Sequence, residues 1–112
     1  MHFSVSEKKG VAVVVLEGDM VGGPDATLLS DKLHELIQAE KKRIILDMAL
    51  VNYMNSSGLG ILIGGLTAVR NQGGDIKLLH LASKLKELLR ITKLDCVFDV
   101  FENEDEAIGS FA

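Results

Sequence analysis

Val11-Ala12-Val13-Val14-Val15-Leu16 is an unbroken apolar run, and four of its six residues are valine. It is too short for a stable helix and shows no alternation, so it reads as a strand covered on both faces, near the centre of a sheet. Such a strand needs partners on each side and layers above and below. The rest of the chain supplies them. Residues 3–6 pair with the run through a turn near Lys8, Lys9 and Gly10, making an N-terminal hairpin. Residues 44–46, 76–81 and 97–101 are further short apolar strands.

Between these strands lie segments of helical period. Pro24 suits a first helical position, Asp25 complements the N-terminal dipole, and Leu29, Leu33, Leu36 and Ile37 share one face. Lys41, Lys42 and Arg43 place cations near the end of this helix. A second helix starts at Asn55-Ser56-Ser57, carries Leu59, Leu62, Ile63, Leu66 and Val69 inward, and stops at Gly73-Gly74. Ser83 is placed to cap a third helix with Leu85, Leu88 and Leu89 on its buried side. Asn103 and Glu106 open a fourth through Ala107, Ile108 and Phe111. Strands alternating with helices require a mixed, mostly parallel sheet with right-handed crossovers. The fold class is α/β, with about four helices, and 112 residues make one domain, 1–112.

Charge and cysteine content narrow the functions. Twelve Lys and Arg against 16 Asp and Glu give a net charge of −4, so no broad positive field attracts nucleic acid. The single cysteine, Cys96, forms no internal disulfide and fits a reducing cytoplasm as a buried thiol. His2, His34 and His80 fall in three different elements and assemble no metal site, with His34 at a solvent edge. Residues 48–69 lack charge, but Asn52, Asn55, Ser56 and Ser57 interrupt the run, so it is a buried helix and not a membrane span. No secretory leader pattern opens the chain. Asp47 at a strand end is the one carboxylate placed for catalysis, and it has no partner in the sequence; no GxSxG or Walker motif is present. No catalytic residue, cofactor or metal is therefore assigned.

The informative segment is Asn55-Ser56-Ser57-Gly58-Leu59-Gly60, where two hydroxyls stand at a helix start. Rotated ~100° from each other, one can cap the first turn while its neighbour faces solvent. A phosphoryl group there gains from the helix dipole and free amides, and brings about −1.5 to −2 charges. Ordinary capping and a modifiable switch both fit this spacing.

The run Tyr53-Met54-Asn55-Ser56-Ser57-Gly58-Leu59-Gly60-Ile61-Leu62 resembles the signature of the STAS domain of bacterial anti-sigma factor antagonists, also called anti-anti-sigma factors. Leu16-Glu17-Gly18, Ile44-Ile45-Leu46-Asp47, Gly73-Gly74, Ile91-Thr92-Lys93-Leu94 and Val97-Phe98 follow in the family's order, over essentially the whole chain. The resemblance implies a cytoplasmic, non-enzymatic switch. The unmodified protein would bind an anti-sigma factor that is a serine kinase and so release a sigma factor; phosphorylation of the first serine would end that binding, and a serine phosphatase would restore it. Ser56 matches that serine, in preference to Ser57. The partner surface is expected to combine Met20, Val21, Gly22 and Gly23 with Asn55, Ser56, Gly58 and Leu59, so Gly58→Arg is expected to block binding without disturbing the fold. The alternative within the family is a STAS subunit that is never phosphorylated and assembles into a signalling complex or lipid transporter. Asn55 stands where the family usually has aspartate, and Val21 where many members are acidic.

Overall fold

The computed structural model describes residues 2–111. The elements run β1 (His2–Lys8), β2 (Val11–Glu17), α1 (Pro24–Gln38), β3 (Arg43–Leu50), α2 (Ser56–Asn71), β4 (Asp75–Leu79), α3 (Ser83–Ile91), β5 (Val100–Phe101) and α4 (Glu104–Gly109). One five-stranded sheet has the order β1-β2-β3-β4-β5. Only the β1–β2 pair is antiparallel, and β2, β3, β4 and β5 run parallel. The C-terminal ends of the central strands, and the loops that leave them, therefore lie along one edge of the domain.

The valine run behaves as its pattern requires. Ala12, Val14 and Leu16 enter the main core with Leu29, Leu33, Leu62 and Leu66, while Val11 and Val13 meet Ile45, Leu79, Ala107 and Ile108 on the opposite face. A central strand buried on both sides cannot spare polar positions, which explains the absence of alternation. Residues 48–69 divide into the end of β3, a loop and most of α2. No helix among the described residues is long and apolar enough to cross a membrane.

Several local expectations change. α1 stops at Gln38, so Lys41 and Lys42 lie in the following turn and Arg43 begins β3. The N-cap of α3 is Ala82, without a side-chain bond, and Ser83 is already helical. β4 ends at Leu79 because His80 turns into the left-handed region, with φ 57°. Cys96 is exposed, its thiol directed at the Lys93 carbonyl; the turn after α3 buries Phe98 instead.

Candidate functional site at the start of helix α2

Two loops leave the same sheet edge side by side, 18–23 after β2 and 51–55 after β3. Backbone bonds join them: Gly18 N–H to Leu50 O at 3.2 Å, Met20 N–H to Tyr53 O at 2.9 Å, and Asn55 N–H to Met20 O at 3.3 Å. Met20 and Met54 also form a parallel bridge. Both methionines are core residues, at 0% and 5% exposure, so they anchor the loops from beneath.

Asn55 fixes the junction. Its Oδ1 accepts from Gly58 N–H at 2.8 Å as the N-cap of α2, and its Nδ2 donates to Val21 O at 3.4 Å. A carboxylate could make the first bond but not the second. The expected division of labour between the hydroxyls is thus replaced, because the cap is the carboxamide and neither serine. With Gly58 N–H held by that cap and Leu59 N–H by Asn55 O, the amides of Ser56 and Ser57 have no intrachain acceptor among the described residues. Ser56 and Ser57 are both exposed. Ser57 borders Gly22, whose φ of 96° and tight fit exclude a side chain: an added Cβ would lie 2.9 Å from Ser57 Cβ. Ser57 also faces a groove of about 440 Å³ between α1 and α2, shared with Ser30, His34, Gly60 and Gly64.

Of the residues expected to meet a partner, Val21, Gly23 and Ser56 are exposed, and Gly22 and Asn55 are half-buried. Met20, Gly58 and Leu59 are not surface residues. Leu59 is 5% exposed and packs in the core, and Gly58 lies directly beneath the Met20 carbonyl. The apolar anchors that the surface does present are Val21, Leu50 and Tyr53, at 44%, 49% and 54% exposure. Leu50 closes β3 and Tyr53 lies in the loop after it; burial of Val51 and Met54 turns both outward, and so short a segment has no period from which that can be read.

The electrostatics of this edge are one-sided. Residues 10–31 hold Glu17, Asp19, Asp25 and Asp31 with no Lys or Arg, and residues 44–69 hold only Asp47. Asp47 does find a partner, His80, with Nδ1 at 3.0 Å from Oδ1, and it also accepts from Ala49 N–H at 3.1 Å. Asp47 lies within β3 and not at its end, and the pair ties that strand to the turn that follows β4; among the described residues neither is hydrogen-bonded to Ser56 or Ser57. Among the described residues no cluster of three His, Cys, Asp or Glu is arranged to hold a metal.

The STAS domain model matches residues 2–107. The anti-sigma F factor antagonist of Paenibacillus polymyxa is 23% identical over 109 residues, which is 96% of this chain and 92% of that protein. An anti-sigma factor antagonist from Mycobacterium paratuberculosis has the same fold, with a TM-score of 0.80 at 20% identity over 97% of this chain and 92% of that one. The phosphorylated form of SpoIIAA, a Bacillus cell fate determinant, gives a TM-score of 0.73 at 19% identity over 99% and 100%. With the hairpin-led mixed sheet and the Asn55–Gly60 helix start in the order the motif demands, the chain belongs to the STAS domain family.

Proposed function

We propose that this protein is an anti-sigma factor antagonist: its unmodified form binds an anti-sigma factor with serine kinase activity, and phosphorylation of Ser56 ends the complex. The observation that carries this reading is the exposure of Ser56 at the mouth of α2, with two open amides, and of the apolar Val21, Leu50 and Tyr53 on the segments bonded together beside it. The names of the relatives support the partner class. Apolar anchors with a polar rim have the anatomy of a modest protein interface. The uncompensated carboxylates Glu17, Asp19 and Asp31 favour a partner with cations around its contact.

The chemistry of the switch divides between the two proteins. Transfer joins Ser56 Oγ to the γ-phosphorus of ATP and releases ADP, and the hydroxyl proton must leave to a base. Asn55 cannot be that base, so the kinase supplies it. A serine phosphatase reverses the modification. The product places up to two negative charges in a contact that has to be desolvated, at a cost on the order of 2–5 kcal/mol, or ~30-fold and upward in affinity. Ser56→Asp brings one charge and weakens binding less, whereas Ser56→Ala binds normally and cannot be switched.

Calorimetric titration of the wild type, both variants and the phosphorylated form against the cognate anti-sigma factor tests this ordering, with phosphopeptide mapping after incubation with kinase and ATP. Modification confined to Ser57, or none by an active kinase, overturns the switch. That result would favour a constitutive assembly subunit, the reading that the neutral Asn55 carboxamide, bonded to both Gly58 and Val21, supports.

A further inference from the structure

β1 is a long edge strand with one side unpaired among the described residues. Every residue from His2 to Lys8 stands in register against β2, from Glu17 back to Val11, without a bulge. The hairpin closes through Lys9 and Gly10, both left-handed at φ 53° and 79°. That is the geometry of a two-residue type I′ turn, whose flanking residues, here Lys8 and Val11, exchange hydrogen bonds with each other. Alternation along an antiparallel ladder then assigns His2, Ser4 and Ser6 to β2 and turns the N–H and C=O groups of Phe3, Val5 and Glu7 outward. Edges of this length are normally blunted by charged side chains, proline, a bulge or an added layer. β1 has no proline and no bulge, its charges Glu7 and Lys8 are confined to its last two residues, and its central residue, Val5, is apolar and 43% exposed.

We propose that the outer edge of β1 pairs antiparallel with β1 of a second copy, about a twofold axis through Val5, giving a homodimer with one continuous sheet. The sequence of the strand is self-complementary in this register. Val5 meets Val5 of the other copy and Phe3 meets Glu7, each pair exchanging both backbone bonds, while Ser4 stands by Ser6 and His2 by Lys8. No like formal charges oppose each other. Glu7 and Lys8 are already neutralised within their own chain, by Lys41 at 3.0 Å and Glu104 at 2.9 Å. On the helix-covered face, Val5 aligns with Val14, and Val14 with Leu46. The twofold therefore extends an apolar row that otherwise stops at the sheet edge.

A second surface points to the same occupant. Ser30 lines the groove on the α2 side of α1, and Leu28 lies about 200° around the helix from it, on the opposite flank. Because α1 connects β2 to β3 and α2 connects β3 to β4 on one face of the sheet, that flank is the one above β1. Leu28 is 45% exposed. The proposed axis sets the α1 helices of the two copies alongside each other with Leu28 on the facing flanks, a match that an unrelated strand would not supply. The start of α2 lies beyond the C-terminal ends of β2 and β3 and not on the outer edge of β1, so this inference is independent of the proposed function.

Sedimentation velocity of the isolated chain from about 5 to about 500 µM tests it, since a small edge interface implies a dissociation constant on the order of 10–100 µM. Alongside it, amide exchange is followed by NMR across the same range. The expected result is a concentration-dependent doubling of mass, with slowed exchange at Phe3, Val5 and Glu7 as the dimer forms. Val5→Pro removes the central outward donor while sparing the β2 ladder, and should weaken association at least tenfold with an unchanged circular dichroism spectrum. If that variant does not fold, Val5→Lys and Leu28→Lys, both at exposed positions, take its place. Monomer mass at the highest concentration overturns the proposal. So does a dimer in which those three amides exchange freely, or one undiminished by Val5→Lys and Leu28→Lys together.

Discussion

Replacing Gly58 with alanine adds a single methyl group at the most crowded point of the site. The new Cβ would lie 2.7 Å from the Met20 carbonyl carbon and 2.9 Å from Met54 Cγ, and closer still to Met20 O. Met54 is a flexible side chain and can withdraw, but the Met20 carbonyl is backbone held by Asn55 N–H. Relief requires the 18–23 loop to lift by about 1 Å from α2, which stretches the Asn55 bonds to Met20 O and Val21 O, worth roughly 0.5–1.5 kcal/mol each. Overpacking adds about 1–3 kcal/mol, and the better helix propensity of alanine returns up to about 1 kcal/mol. The net is a loss of about 1–5 kcal/mol, and Gly58→Arg should be worse. Partner binding would fall too, but through a displaced Val21 and not through a blocked surface. Urea unfolding monitored by circular dichroism measures the loss directly, with Gly64→Ala as the matched control because nothing lies within 4 Å of a Cβ there. A Gly58→Ala stability within about 0.5 kcal/mol of wild type, the ordinary scatter of surface substitutions, would refute the close-approach argument.

Gly60→Ala and Gly64→Ala should each raise stability by about 0.5–1 kcal/mol in the same assay, since a Cβ at either position meets open space in mid-helix. Asn55→Ala should cost about 1–2 kcal/mol through the lost cap and the lost tie to Val21, while Asn55→Asp keeps the cap and should lose less; equal losses would show that the Val21 bond dominates. Burial opposes the charge of Lys77, but its hydrogen bond to Asp99 at 2.6 Å and the nearby carboxylates of Asp99 and Asp75 outweigh this and raise its pKa above the ordinary 10.5. Stabilisation from the folded ammonium is therefore complete below pH 10.5 and fades as the pH climbs through the higher folded value. The melting temperatures of wild type and Lys77→Met should converge above that point, and parallel pH profiles would contradict the assignment.

How much of the fold is legible in the sequence depends on whether a residue's role is local. The valine run, the Pro24 start, the Gly73 stop and the Asn103 cap can all be read because each expresses a nearby backbone need: φ at Gly73 is 83°, and Asn103 Oδ1 accepts from Glu106 N–H at 3.1 Å. Cys96 and Ser83 mislead because their fates are decided elsewhere. Cys96 follows the turn that sends Phe98 inward, and Ser83 loses the cap position to Ala82, one residue earlier. The site shows the same limit. The motif singles out the Asn55-Ser56-Ser57 helix start, yet the burial of Met20 depends on β2 and β3 ending side by side, which draws the 18–23 loop against the start of α2.

The glycines separate what the fold requires from what it merely tolerates. Gly58 and Gly74 each face a backbone carbonyl, of Met20 and Lys42 respectively, so close that no side chain fits. They are fixed by the approach of loop to helix and of helix end to turn. Gly65 abuts Leu33 Cδ1 at 2.7 Å and Ile76 Cδ1 at 4.0 Å, both movable ends of side chains. Gly60 and Gly64 abut nothing, and each lowers helix stability by roughly 0.5–1 kcal/mol relative to alanine without a contact in the domain to offset it. Together with Ser56, Ser57 and Thr67 they leave the solvent side of α2 uncharged as far as Arg70. An exposed helix face ordinarily carries charged as well as polar side chains. A face stripped of both charge and bulk instead leaves the backbone of α2 close to the surface from Ser56 onward, which is the face that the proposed partner contact would use.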